Sequence, residues 1–111
     1  MDLSLLIANE TGDCTIVDPW TNEDSDIVIT VYGPYAKEYA AAFKSYNASE
    51  AKNPSELLAD LTKGWINITN KGKTVVCNRA NAIKEYSVKN NVVSPQLERF
   101  ILNSKNFLPK R

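Results

Sequence analysis

Ile27-Val28-Ile29-Thr30-Val31-Tyr32, closed by Gly33-Pro34, is the stretch on which the fold turns. Its residues are β-branched or aromatic, the composition that fits a pleated, half-buried surface, and Gly-Pro is a strong local stop. A strand over 27–32 is therefore the anchor of the reading. After the stop, Tyr35, Tyr39, Phe43 and Tyr46 recur at spacings of four, four and three, which puts the four rings in one stripe on a helix. Pro34 suits the first turn of that helix, where its missing N–H has no partner to lose. Ala36, Ala40, Ala41 and Ala42 add helix propensity, and the helix is expected to end near Asn47. The stripe is read as core rather than as contact surface.

Toward the N-terminus, Cys14 to Asp18 reads as a second strand, and Asp18-Pro19-Trp20-Thr21-Asn22 as a turn. Glu23 to Asp26 is an acidic connector. The two strands make an antiparallel hairpin with a long, eight-residue connection. Residues 1–12 are a lead-in, in which Leu3, Leu5, Leu6 and Ile7 either cover an edge of the core or form one short turn of helix. Thr11-Gly12-Asp13 is expected to break that segment.

Toward the C-terminus, residues 48–53 form a polar connector, the best candidate for a mobile loop. Asn53-Pro54-Ser55-Glu56 is a helix start with Asn as cap, Pro first and Glu reaching back. Leu57, Leu58 and Leu61 supply its buried face, and Gly64 is assigned the left-handed position that closes it. Trp65 to Thr69 alternates as a strand. Asn70-Lys71-Gly72 makes a tight turn, and Lys73 to Cys77 returns. Asn78 caps a helix to about Val88, with Ala80, Ile83 and either Ala82 or Tyr86 inward. After a loop from Lys89 to Val93, Ser94-Pro95 starts the last helix, lined by Leu97, Phe100, Ile101 and Ser104. Phe107-Leu108-Pro109 closes it. The sum is an α+β fold: one small domain over 1–111, with two short β-hairpins and about four helices. Its parts are the lead-in, the hairpin and helix over 14–47, and a helix-hairpin-helix-helix part over 54–111.

The totals exclude several functional classes. Thirteen basic residues balance thirteen acidic ones, and the longest basic cluster is Lys110-Arg111. Nucleic-acid binding needs a clustered positive field and is not expected. No apolar run approaches the length of a membrane span, and no secretion signal is visible, so the chain is expected to be cytosolic where it is made. Cys14 and Cys77 are read as reduced thiols in that setting. The chain holds no His, which removes the usual general base near neutral pH and the common activated-nucleophile pairs. Asp13, Asp18, Glu23, Asp24 and Asp26 crowd one region but lack the spacing of a calcium loop, and are read as a solvated acidic surface. The four glycines are isolated at predicted breaks, so no phosphate loop is present. No enzyme activity, metal or cofactor is expected.

One series is more specific than composition. From Leu57 onward the order is Leu-x-x-Leu, Gly64-Trp65 with Asn67-Ile68, then Gly72-Lys73 with Val75-Val76-Cys77. Asn81-Ala82, Tyr86, Gln96, Phe100-Ile101 and Asn106-Phe107 follow. This resembles the tail assembly chaperones of long-tailed bacteriophages. Asp18-Pro19-x-Thr21-Asn22 resembles that family's early Asp-Pro-x-Thr turn. The resemblance covers most of the chain, and its weight lies in the order of the elements. It implies a non-catalytic protein that binds the tape measure protein during tail assembly and is absent from the mature virion. It also implies contact with the tail tube protein through a frameshifted longer product, and self-association is a further option. The positions assigned to protein contact are Trp65, Phe107 and Leu108. Trp65 comes first because Trp often anchors interfaces, although a Trp following a helix also suits a core. The alternative is a structural tail or connector subunit retained in the virion.

Overall fold

The computed structural model describes residues 1–109, apart from the side chain of Leu5; Lys110-Arg111 lie outside the described residues. Strand β1 (Thr11–Val17) pairs antiparallel with β2 (Asp24–Tyr32). Helix α1 (Lys37–Ala48) is followed by α2 (Pro54–Leu61), which runs directly into β3 (Thr62–Ile66). The short β4 (Thr69–Asn70) and β5 (Lys73–Thr74) pair with each other. Helices α3 (Arg79–Tyr86) and α4 (Val93–Leu102) then lead to a closing 3-10 turn, Ser104–Phe107. The fold is α+β, as the segregation of strand and helix patterns predicts.

Strand β2 is the centre of a three-stranded sheet, order β1-β2-β3. Cys14 faces Ile29, and Ile29 faces Trp65. By the period-two alternation of strands these three share one face. Cys14, Ile16, Ile29 and Val31 are buried there against Leu58, Leu61, Ala82, Leu97, Ile101 and Phe107 from the helical part. The other face carries Asp13–Thr30–Gly64 and Thr15–Val28–Ile66, and Ile66 is exposed.

Several boundaries differ from the sequence reading, each for a local reason. Thr11-Gly12-Asp13 does not break the lead-in but belongs to β1. Glycine serves there because the rings of Phe100 and Phe107 lie about 3 Å from where a Cβ would stand. The hairpin connection is residues 18–23, shorter than expected, because Asp24 and Asp26 join β2 with their side chains in solvent. Helix α1 starts at Lys37, not at Pro34. Gly33 N–H donates to Glu10 O (2.8 Å) and Ala36 N–H to Gly33 O (3.1 Å), so 33–36 is a turn and Tyr35 is exposed. Of the aromatic stripe, Tyr39 and Phe43 pack against the core with ring centroids 4.7 Å apart. Tyr46 instead lies beneath the Lys52 ammonium.

The second hairpin is smaller than predicted. Trp65 belongs to β3 and pairs with β2, while the β4–β5 ladder holds only Thr69↔Thr74 and Asn70↔Lys73. Its turn is as expected: Lys71 (φ 52) and Gly72 (φ 79) take the positive φ values that a two-residue hairpin loop requires. Gly64 is strand, not a left-handed helix end, and α2 stops because Thr62 turns extended. Asn53 and Asn78 cap α2 and α3 as read, their side-chain oxygens accepting from Ser55 N–H (3.0 Å) and Asn81 N–H (2.8 Å). α3 ends at Tyr86, where Ala82 and Tyr86 are both buried and Ala80 is exposed. α4 starts at Val93 with Val92 in the cap position, and the side chain that accepts from its first turn is that of Asn91, from Ser94 N–H (2.8 Å), rather than Ser94 itself acting as cap. Ser104 has left the inner face and is exposed. Leu3–Leu6 form the short turn, but Leu3, Leu6 and Ile7 are exposed and do not cover the core.

Candidate protein-binding surfaces

The three positions predicted for protein contact fall in different environments. Phe107 is fully buried, meets Phe100 edge-on at 5.7 Å and lies against Gly33, so its ring is a core element with no surface to offer. Trp65 is half-buried. Its Nε1–H donates to Val75 O (2.9 Å), and its ring meets Tyr86 edge-on at 6.2 Å. That hydrogen bond ties β3 to the segment after β5, and most of the indole is committed inside the molecule. Leu108 alone stands at the surface, 47% exposed.

Leu108 is on the rim of an open hollow of about 800 Å³. One wall is the extended backbone from Ala8 to Asp13; the other is Phe100, Lys105, Asn106 and Leu108. Asn9 N–H donates to Phe107 O (2.7 Å), which pins the lead-in to the closing turn. The exposed Leu3, Leu6 and Ile7 lie in the segment that this bond tethers. Asp2 holds that segment's own turn, its carboxylate accepting from Ser4 N–H and Oγ–H, both 2.9 Å. Those bonds keep the Asp2 carboxyl below the usual carboxylate range. Leu3, Leu6 and Ile7 precede Ala8, where the lining of the hollow begins, and apolar side chains left in water are the composition of a surface that another polypeptide can cover.

A second surface lies at the turn between β1 and β2. Trp20 is 93% exposed, yet its backbone is fixed. The Asp18 carboxylate accepts from Trp20 N–H (2.8 Å), Asn22 N–H donates to Asp18 O (2.8 Å), and Asp18 N–H to Glu23 O (2.9 Å). Asn22 supplies the one positive φ of the turn. The sequence reading treated this segment only as a turn. The signal that could have found the surface is a Trp between Pro and Thr in a polar turn, with no apolar neighbour to bury it.

The remaining chemistry-bearing residues have structural uses. Asp13 accepts from the Thr30 hydroxyl (2.7 Å) across the outer face. Arg79 pairs with Asp60 (2.8 Å), the only ion pair among the described residues. No cluster of three or more His, Cys, Asp or Glu side chains able to hold a metal occurs among them either. Cys14 and Cys77 are both free thiols, and burial pushes each thiol up from its ordinary pKa. Burial likewise pushes up the Tyr86 phenol. Among the described residues no helix is long and apolar enough to cross a membrane.

The fold therefore defines a class: a small α+β domain whose three-stranded antiparallel sheet is covered on one face by helices. Comparison with protein-family models, curated proteins and solved structures gives no match.

Proposed function

We propose that this protein is a non-catalytic tail assembly chaperone that holds the tape measure protein during phage tail morphogenesis and leaves before the virion is complete. The observation that carries the reading is the hollow beside Leu108, with the tethered, exposed Leu3, Leu6 and Ile7 of the lead-in. A long polypeptide awaiting assembly exposes apolar surface and aggregates unless that surface is covered. A pinned apolar segment that runs on into the wall of an open hollow can take up such a chain, and the ordered resemblance from Leu57 to Phe107 supplies the identity of the client. The tail tube protein is a second proposed partner, reached through a longer product of the same reading frame. Action in the host cytoplasm follows from the same reading.

Co-expression with the tape measure protein of the same genome tests it. The expected result is co-elution on affinity capture and gel filtration, with the tape measure protein soluble only when this chain is present. Leu6→Glu combined with Leu108→Glu is expected to abolish capture while leaving the far-UV circular dichroism unchanged. Absence of association, together with recovery of the chain from purified virions by mass spectrometry, would replace this reading with a retained tail or connector subunit.

A further inference from the structure

The charges of this chain are segregated. Seven of its acidic residues and none of its basic ones precede Lys37, while residues 37–111 carry thirteen basic against six acidic. The acidic part is the lead-in and the β1–β2 hairpin, and its turn bears Asp18, Glu23, Asp24 and Asp26 around the exposed Trp20. None of these acids pairs with a Lys or Arg side chain among the described residues. The β4–β5 turn is the opposite: Lys71 and Lys73 are exposed, and Val76, 67% exposed, follows close by in sequence. The β1–β2 turn stands at one end of the three-stranded sheet, and β3 leaves toward the β4–β5 turn from that same end. Val17↔Asp24 is the last pair of β1 with β2, Val28↔Ile66 the last of β2 with β3, and Asn67 Nδ2–H donates to Asp26 O (2.9 Å) where β3 exits.

We infer that this end of the sheet is a self-association surface whose occupant is a second copy of the chain. The acidic turn with Trp20 of one copy docks on the basic turn, Lys71 and Lys73, of the other. The two turns carry charges of opposite sign, and Trp20 adds an exposed apolar residue to the acidic one. A two-fold arrangement satisfies both contacts at once, since each copy offers both patches. Both turns are preorganised, one by the Asp18 hydrogen bonds and the other by Lys71 and Gly72, so little ordering is lost on docking. This inference is independent of the chaperone reading, which concerns the hollow beside Leu108.

Sedimentation equilibrium of the full chain, at about 20 mM and about 500 mM salt, is the test, because attraction between exposed charges is screened over that range. The expected result is a mass above the 12.4 kDa monomer that rises with concentration at low salt, with association at least about tenfold weaker at high salt. The charge reversals E23K/D24K and K71E/K73E are each expected to be monomeric alone. Mixed one to one, they are expected to associate again, since the reversed acidic turn of one then meets the reversed basic turn of the other. Trp20→Ala is expected to weaken self-association with unchanged circular dichroism and thermal midpoint. A wild-type chain that stays monomeric at every concentration overturns the inference. So does association untouched by either reversal, or a mixture that stays monomeric.

Discussion

The two tryptophans mark the contrast between the helix-covered face of the sheet and the turns at its end. Trp65 stands opposite Ile29, a fully buried residue of the central strand, and its indole N–H is held by Val75 O. Trp20 lies beyond the last ladder pair, and nothing covers its ring although its backbone is tightly held. One residue type thus serves packing in one region and offers surface in the other. What differs is the cross-strand partner, not the neighbours in sequence. A residue paired to the central strand inherits its burial, and a residue in a polar turn has no such partner.

The contrast breaks most sharply at the packed end. Phe107→Ala is expected to cost about 3–5 kcal/mol, the range for deleting a fully buried aromatic ring. Gly33→Ala attacks the same contact from the other side, because its Cβ would overlap the Phe107 ring. Overpacking of this kind costs about 1–3 kcal/mol. Urea unfolding followed by circular dichroism measures both. A loss below about 1 kcal/mol for Phe107→Ala would mean that the closing turn is not part of the cooperative core.

Much of this architecture is legible in the residues themselves. The β-branched run at 27–32, the Asn53-Pro54 and Asn78 caps and the Lys71-Gly72 turn are local signals, and the structure carries each where local chemistry places it. The errors are non-local. Gly12 reads as a break, yet it lies inside β1 and is small because the Phe100 and Phe107 rings, far along the chain, press on it; Gly33 does end β2, and the Phe107 ring is a second, non-local reason for glycine there. Trp65 reads as half of a local hairpin, yet it pairs with β2 across the whole α1–α2 insertion. Ser94 has the form of a cap, but it lies inside α4, and the Asn91 side chain accepts from its N–H. Of the predicted contact residues only Leu108 faces solvent, because period and spacing say which residues pack but not which elements meet. Trp20 was legible only as an apolar residue with nowhere to go.

A middle-sized effect is expected at Tyr86. Thr62 Oγ1–H donates to Leu58 O (2.8 Å), so at the 2.8 Å contact with Tyr86 Oη the phenol is the donor. Tyr86→Phe is expected to cost about 1 kcal/mol at neutral pH, the worth of one such bond. The same site sets the alkaline limit. Burial raises the Tyr86 phenol and the Cys14 thiol above their ordinary values of 10.0 and 9.0. The folded chain keeps these protons while the unfolded chain releases them, so their contribution is complete below about pH 9 and is lost as pH rises beyond it. The urea midpoint is expected to fall steadily from pH 9 to 11 in the wild type and less steeply in Tyr86→Phe and in Cys14→Ala. Equal slopes in all three would assign the alkaline loss elsewhere.

Trp65→Phe should cost less than removal of the ring, since phenylalanine keeps an edge to offer Tyr86 and loses only the N–H to Val75 O. The expected loss is about 1 kcal/mol, with loosening confined to the β4–β5 segment, which that bond ties to β3. Faster amide exchange at Val75, whose N–H donates to Ile68 O (2.9 Å), is the local readout. Exchange unchanged there would mean that Ile68 and Val75 hold the segment by burial alone.

The smallest effect is expected where the exposed surface is largest. Trp20→Ala removes an indole that is 93% in water, and the backbone bonds of the turn do not involve its side chain. Its stability should stay within about 0.5 kcal/mol of wild type. Fluorescence separates the two rings in the same experiment. Deleting Trp20 removes the red-shifted, readily quenched emission, and the remaining Trp65 emission is blue-shifted and protected from acrylamide. Should Trp20→Ala instead destabilise by more than about 1 kcal/mol, the indole must be packed in solution and the turn is not a free surface. Unchanged stability with protected Trp20 emission only at high protein concentration would show the ring entering a contact between copies, the condition under which a preorganised apolar turn is worth more to assembly than to folding.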